Sequence, residues 1–130
     1  MTRLNTRDLL EQVISMGDSN PAEVLALLDD GIQRAAASDD NAGQVTLARH
    51  AGVFCIHIGD TDRAARYWEV ACDGAPDEGW GHLGLAQLYE RLGRPDEAKA
   101  RFVRSRELAE QNEDADLAKL ASDGLDRLGR

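Results

Sequence analysis

Apolar positions along this chain recur every three or four residues and are interrupted by glycine, proline and short polar runs, a pattern that predicts helices throughout. Residues 5–16 carry Leu9, Leu10, Val13 and Ile14 and continue to Met16, a stripe that Gly17 is expected to end. Asn20, Pro21 and Glu23 then give a helix start: an N-cap side chain, a proline in the first turn and a carboxylate three residues after the cap. The second helix runs through Val24, Leu25, Leu28 and Ile32 to about Ser38 and reads as longer than its later counterparts, and SDDNAG at 38–43 reads as a polar linker. Two helix pairs are expected over about 45–78 and 79–112, with Thr61 and Pro95 near the starts of their second helices. A last amphipathic stretch at 115–128 places Leu117, Leu120, Ala121, Gly124, Leu125 and Leu128 on one face.

The two pairs are copies of one another. HLGLAQLYERLGRPDEAKARF at 82–102 echoes ARHAGVFCIHIGDTDRAARYW at 48–68: Gly93 follows Gly59, Ala98 follows Ala64, Phe102 follows Trp68 and Ser105 follows Ala71, each by 34 positions. A period of 34 with small, aromatic and turn-glycine slots kept in register resembles the tetratricopeptide repeat. The later copy supplies Leu85, Ala86, Tyr89, Gly93, Ala98 and Phe102, with His82 in the aromatic slot and Glu110 where the closing proline belongs; the earlier supplies Ala51, Gly52, Gly59, Ala64, Trp68 and Pro76. The resemblance implies an all-α, right-handed α-solenoid of antiparallel helix pairs. About seven helices would form a single domain over 1–130: a degenerate pair at 3–40, repeats at 45–78 and 79–112, and a capping helix at 113–130 that covers the apolar face of the last pair.

That resemblance also implies protein binding, with ligands lying against the first helix of each pair. The inward residues would be Arg7, Glu11 and Ile14, then Arg49, His50, Val53 and His57, then Trp80, Leu83, Gln87 and Glu90. Trp80 either points to a ligand at the groove entrance or packs on the preceding repeat. Some family members grip a C-terminal carboxylate with lysine, arginine and asparagine; here Arg7 stands at one such place, but Glu11, His50, Trp80 and Gly84 occupy the others, so an apolar or mixed peptide or helix is the expected ligand.

Charge narrows the partner. A formal charge of −9 with acidic residues spread along the chain argues against a phosphate backbone, and nucleic acid is not expected. The first residues alternate charge with apolar side chains and no later run reaches membrane-spanning length, so a cytoplasmic protein without membrane attachment is expected. Cys55 and Cys72 lack metal or redox spacing and read as small buried hydrophobes. His50 and His57 stand two helical turns apart, roughly 10 Å, too far to share a zinc ion. HIGDTD at 57–62 reads as an inter-helix turn with caps, and no phosphate loop or nucleophile elbow appears. No metal, cofactor or catalytic activity is expected. The leading expectation is a scaffold or adaptor, with a self-associating, secretion-chaperone-like assembly protein, possible as a homodimer, as the alternative and a metal-binding protein or enzyme as the remote one. Arginine-rich composition suggests a bacterial source.

Overall fold

The computed structural model describes residues 6–16 and 20–129, and among them seven helices and no strand. The helices are α1 (Thr6–Met16), α2 (Pro21–Ala37), α3 (Asn41–His57), α4 (Thr61–Gly74), α5 (Gly79–Arg91), α6 (Pro95–Gln111) and α7 (Ala115–Leu128). The chain divides into two compact units, Met1–Gly74 and Ala75–Arg130. In the first, α2 packs on α1 and α3, α3 packs on α4, and α1 also touches α3; in the second, α6 packs on α5 and α7, and α5 also touches α7.

One turn, used four times, joins these helices. Asp39, Gly59, Gly93 and Glu113 sit at φ of 55°, 82°, 70° and 55°, the left-handed conformation that ends a helix. The amide of the next residue, Asp40, Asp60, Arg94 or Asp114, donates back to Ala35, Cys55, Tyr89 or Ala109 at 2.8, 2.8, 2.9 and 2.8 Å. The carbonyl of that same residue accepts the first hydrogen bond of the following helix, from the amide of its fourth residue, Gln44, Ala64, Ala98 or Ala118. A single residue therefore closes one helix and opens the next. Asp40, Asp60 and Asp114 add a side-chain cap by accepting from the amides of Gly43, Arg63 and Leu117. Arg94 has no acceptor to offer; Pro95 presets the first turn, and the Arg94 guanidinium grips Glu97 at 2.7 and 2.6 Å while lying 4.8 Å over the Tyr89 ring.

Asn20 caps α2 as expected by accepting from the Glu23 amide, while its own amide group donates to the Glu23 carboxylate. Three other expectations change. SDDNAG is not a linker, because only 38–40 separate the helices and α3 already begins at Asn41. The first helix of that pair accordingly begins at 41, four residues before the expected start of the repeat at 45. At 17 residues α2 is longer than α4, with 14, but equals α6, with 17, and the departure from the 34-residue period also lies in α3, which has 17 residues against 13 in α5. Gly17 lies outside the described residues.

The small and large slots of the 34-residue pattern meet where helices cross. Ala64, Ala98 and Phe102 are fully buried. A Cβ on Gly52 would stand 2.7 Å from Nε1 of Trp68, and one on Gly124 would stand 2.4 Å from Cε1 of Phe102, so each aromatic ring lies directly on the backbone of the neighbouring helix. Ser105, in the buried row beside Phe102, satisfies its hydroxyl by donating to the Gly79 carbonyl at 2.9 Å. The face of α7 turned inward carries Leu117, Ala121 and Gly124; Leu120 is exposed, and Leu125 and Leu128 are only half-buried, so the covering stripe is narrower than its sequence suggests.

Substitution at this crossing has a definite cost. Phe102→Ala leaves a cavity beside Gly124 and is expected to destabilise by about 3 to 5 kcal/mol, whereas Gly124→Val overpacks the same contact for about 1 to 3 kcal/mol. Glu113→Gly relieves a left-handed residue and is expected to raise stability by up to about 1 kcal/mol. Urea unfolding followed by far-ultraviolet circular dichroism checks all three; a neutral Phe102→Ala contradicts the packing described.

Candidate protein-binding surface

In the first unit the expected residues lie on helix faces that no other helix of the unit covers. α3 is continuously helical from Asn41, and its buried face of Leu47, Ala48, Ala51 and Cys55 leaves His50, Val53 and His57 exposed on the other side, with Arg49 half-buried beside them. Val53 is 56% exposed, an apolar side chain left in water between two imidazoles. Of the seven helices, α3 alone carries no aspartate or glutamate, in a chain with 24 of them. On α1, Arg7 and Glu11 pair with each other at 3.4 Å, and Ile14 is 69% exposed.

The second unit offers less. Leu83 is 4% exposed, so it belongs to the core and not to a binding surface. α5 packs on both α6 and α7, the latter a contact that helical periodicity alone does not reveal. Glu90 accepts two hydrogen bonds from Arg127 of α7, both at 3.0 Å, which holds its carboxylate in place. Gln87 remains exposed. Trp80 is 47% exposed, and its indole donates to the Asp114 carboxylate at 2.9 Å. The other oxygen of Asp114 caps α7, so Trp80 supports the start of α7 within its own unit.

His82 fills the aromatic slot as a buried polar group with both nitrogens engaged. Nε2 lies 2.8 Å from the Pro76 carbonyl, which only accepts, and Nδ1 lies 3.2 Å from an Arg101 nitrogen, which only donates. The neutral ring with its proton on Nε2 satisfies both. Arg101 is therefore a structural partner, and Arg104, which reaches Asp77 at 3.4 Å and Glu107 at 3.3 Å, ties the segment before α5 to α6.

Nucleophile candidates are enclosed. Cys55 is fully buried, and burial, reinforced by the Asp60 carboxylate, pushes its thiol up to about 11. Cys72 is also buried. The Tyr67 hydroxyl donates to the Asp29 carboxylate, and burial together with that bond raises its ionisation well above the usual range. Among the described residues no group of three metal-ligating side chains converges, and no helix is long and apolar enough to cross a membrane.

A tetratricopeptide repeat family model matches residues 57–122. No curated protein matches the chain in sequence. Among solved structures, PcrH in complex with the chaperone binding region of PopD is similar at a TM-score of 0.72 and 18% identity, covering 99% of this chain and 97% of that one. The type III secretion translocator chaperone SycD of Yersinia enterocolitica has a TM-score of 0.68 at 17% identity, covering 97% and 87%. A mutant of MamA has a TM-score of 0.58 at 26% identity, covering 80% and 72%.

Trp80→Phe keeps the ring but removes its hydrogen bond to Asp114 and is expected to cost about 0.5 to 1.5 kcal/mol. Arg101→Ala leaves the buried Nδ1 of His82 without a donor and is expected to cost about 1 to 3 kcal/mol; chemical denaturation measures both. Stability should also depend on alkaline pH through Cys55. The unfolded thiol ionises near 9.0 and the folded one near 11, so the unfolded chain releases its proton first. This contribution is complete below pH 9 and is lost as pH rises toward 11. Cys55→Ala should make that part of the stability profile less steep, most plainly between pH 9 and 10, below the ordinary ionisation of Tyr67, and an unchanged slope there would contradict the assignment.

Proposed function

The chain belongs to the tetratricopeptide repeat family, and we propose that it is a protein-interaction module, a scaffold or adaptor that takes a segment of a partner protein on the outward stripe of α3. The observation that carries this reading is Val53, exposed between His50 and His57 on the one helix without a carboxylate. An apolar centre ringed by imidazole and guanidinium groups suits a peptide or short helix with an apolar anchor and acidic neighbours. Arg7, Glu11 and Ile14 extend the surface on α1, and Gln87 is the member of the expected set that stays open on α5.

The reading assigns no catalytic role to the chain: the thiols are buried, and Tyr67 is bonded to a carboxylate. We place the protein in the cytoplasm. The similarity to PcrH, whose structure holds a segment of PopD, favours carriage of a partner segment as the way such a surface is used. Self-association is the second reading, and the exposed Ile14 favours it, since a second copy would cover that side chain.

Once a partner has been identified by co-purification from the native organism, titration calorimetry with purified components tests the proposal. Val53→Ser and His50→Ala are each expected to weaken binding by about 1 to 3 kcal/mol without loss of helicity. Arg34→Ala and Arg91→Ala, exposed on α2 and α5, are the controls and should leave affinity unchanged. The proposal fails if the controls abolish binding while the α3 variants do not. Light scattering over a range of concentrations decides between a monomer and a self-associated form.

A further inference from the structure

A second spacing runs beneath the 34-residue period. Pro95 follows Pro21 by 74 positions, and so do Asn112 after Ser38, Glu113 after Asp39 and Asp114 after Asp40. The structure keeps this register in detail. α2 and α6 each have 17 residues with proline in the first turn, and each ends with a side chain bonded back to an equivalent carbonyl, Ser38 to Arg34 and Asn112 to Leu108. Both turns are left-handed at φ 55°, and both following helices are capped by an aspartate. The α6–α7 pair therefore repeats the α2–α3 pair.

The two pairs are covered differently. On the first lies α4, with the Trp68 ring on Gly52 of α3 and the Tyr67 hydroxyl reaching Asp29 of α2; beneath it, Ala51 and Cys55 are fully buried. The equivalent face of the second pair is an open groove lined by Lys99, Val103, Arg106, Leu125, Leu128 and Gly129. Leu125 and Gly129 stand where Ala51 and Cys55 are buried, yet they are half-buried and exposed. No helix of the unit covers them.

Charge distinguishes what this groove suits from α4. Lys99 and Arg106 take the places of Leu25 and Ile32, and Val103 takes that of Asp29. Neither cation pairs with a carboxylate among the described residues, although Arg34, Arg63, Arg94, Arg104 and Arg127 all do. Asp126 takes the place of Gly52, so a ring seated as Trp68 is on α3 has no room on α7. We propose that the α6–α7 groove docks an amphipathic helix of another protein, with an apolar side chain over Val103, acidic residues facing Lys99 and Arg106, and a small residue over Asp126. This surface is separate from the α3 stripe, so either can fail without the other.

The probe is a peptide of residues 61–74 with Arg63→Glu, Arg66→Glu, Trp68→Ala and Cys72→Ala, fluorescently labelled and stapled through positions 69 and 73 so that it enters as a helix; Trp68→Ala removes the ring that would meet Asp126. In α4 the side chains of Arg63 and Arg66 border the gap facing Leu25 and Asp29, so the two glutamates are brought toward Lys99. Anisotropy titration against the full chain should show saturable binding that weakens with salt. Lys99→Glu with Arg106→Glu should raise Kd by about tenfold or more, and the peptide retaining both arginines should then bind that variant better than the parent. Arg34→Glu with Arg91→Glu, an equal change in net charge elsewhere, should leave Kd unchanged, with circular dichroism confirming the fold of each variant. Absence of saturable binding, or equal affinity for both double variants, overturns the proposal. So does light scattering that finds a dimer of the parent chain and a monomer of Val103→Asp, which would assign the groove to a second copy.

Discussion

The turn residue that ends one helix and starts the next is the constraint on which the rest depends. Its amide completes the last turn of the preceding helix while its carbonyl accepts the first hydrogen bond of the following one, so only three residues separate the two helices. No slack remains to adjust how far apart the helices lie. Antiparallel neighbours are brought together at a fixed azimuth, and side-chain size at each crossing is then dictated by the backbone. This is why glycine or alanine faces each ring: Gly52 under Trp68, Gly124 under Phe102. Two of the four turns supply the left-handed residue as glycine; Asp39 and Glu113 hold it at a cost of about 1 to 2 kcal/mol each, which the bonds on either side must offset.

How much of this was legible depends on which signals are periodic. Gly59, Gly93, Ala64, Ala98, Trp68 and Phe102 were readable because turn and crossing recur together after 34 residues, and the fold came from them. The start of α3 was missed because Asp40 and Asn41 sit in a run of polar residues, and a capping carboxylate has the same hydropathy as one in a solvated loop. The repeated Pro21 and Pro95, with Asp40 and Asp114, were the available clue, at a spacing of 74 rather than 34. The surface was legible in part. Val53, His50 and His57 were placed on an open face because one helix's period decides it, whereas Glu90 is engaged by Arg127 of α7 and Leu83 is buried, and no local pattern states either. The bond between Trp80 and Asp114 joins two polar groups 34 residues apart, a contact that leaves no mark on hydropathy.

Net charge describes this protein poorly as a binding partner. At physiological ionic strength, charges are screened beyond about 8 Å, so a ligand responds to the side chains it touches and not to the total of −9. Most of the arginines with carboxylate partners lie in exposed pairs, each worth at most about 1 kcal/mol, and those pairs cancel charge locally. Surfaces that carry few carboxylates of their own carry the information. One is α3, where carboxylates are absent along the whole helix; the other is the rim of the α6–α7 groove, where two cations replace the buried Leu25 and the half-buried Ile32 of the equivalent pair. A polar replacement at a position otherwise used for packing costs little only if the position faces water, yet water alone does not account for the half-buried Leu125 and Leu128 between those cations. Apolar floor and charged rim together are the arrangement of an interface, and the repeated turn has placed that arrangement where the preceding pair already holds a helix.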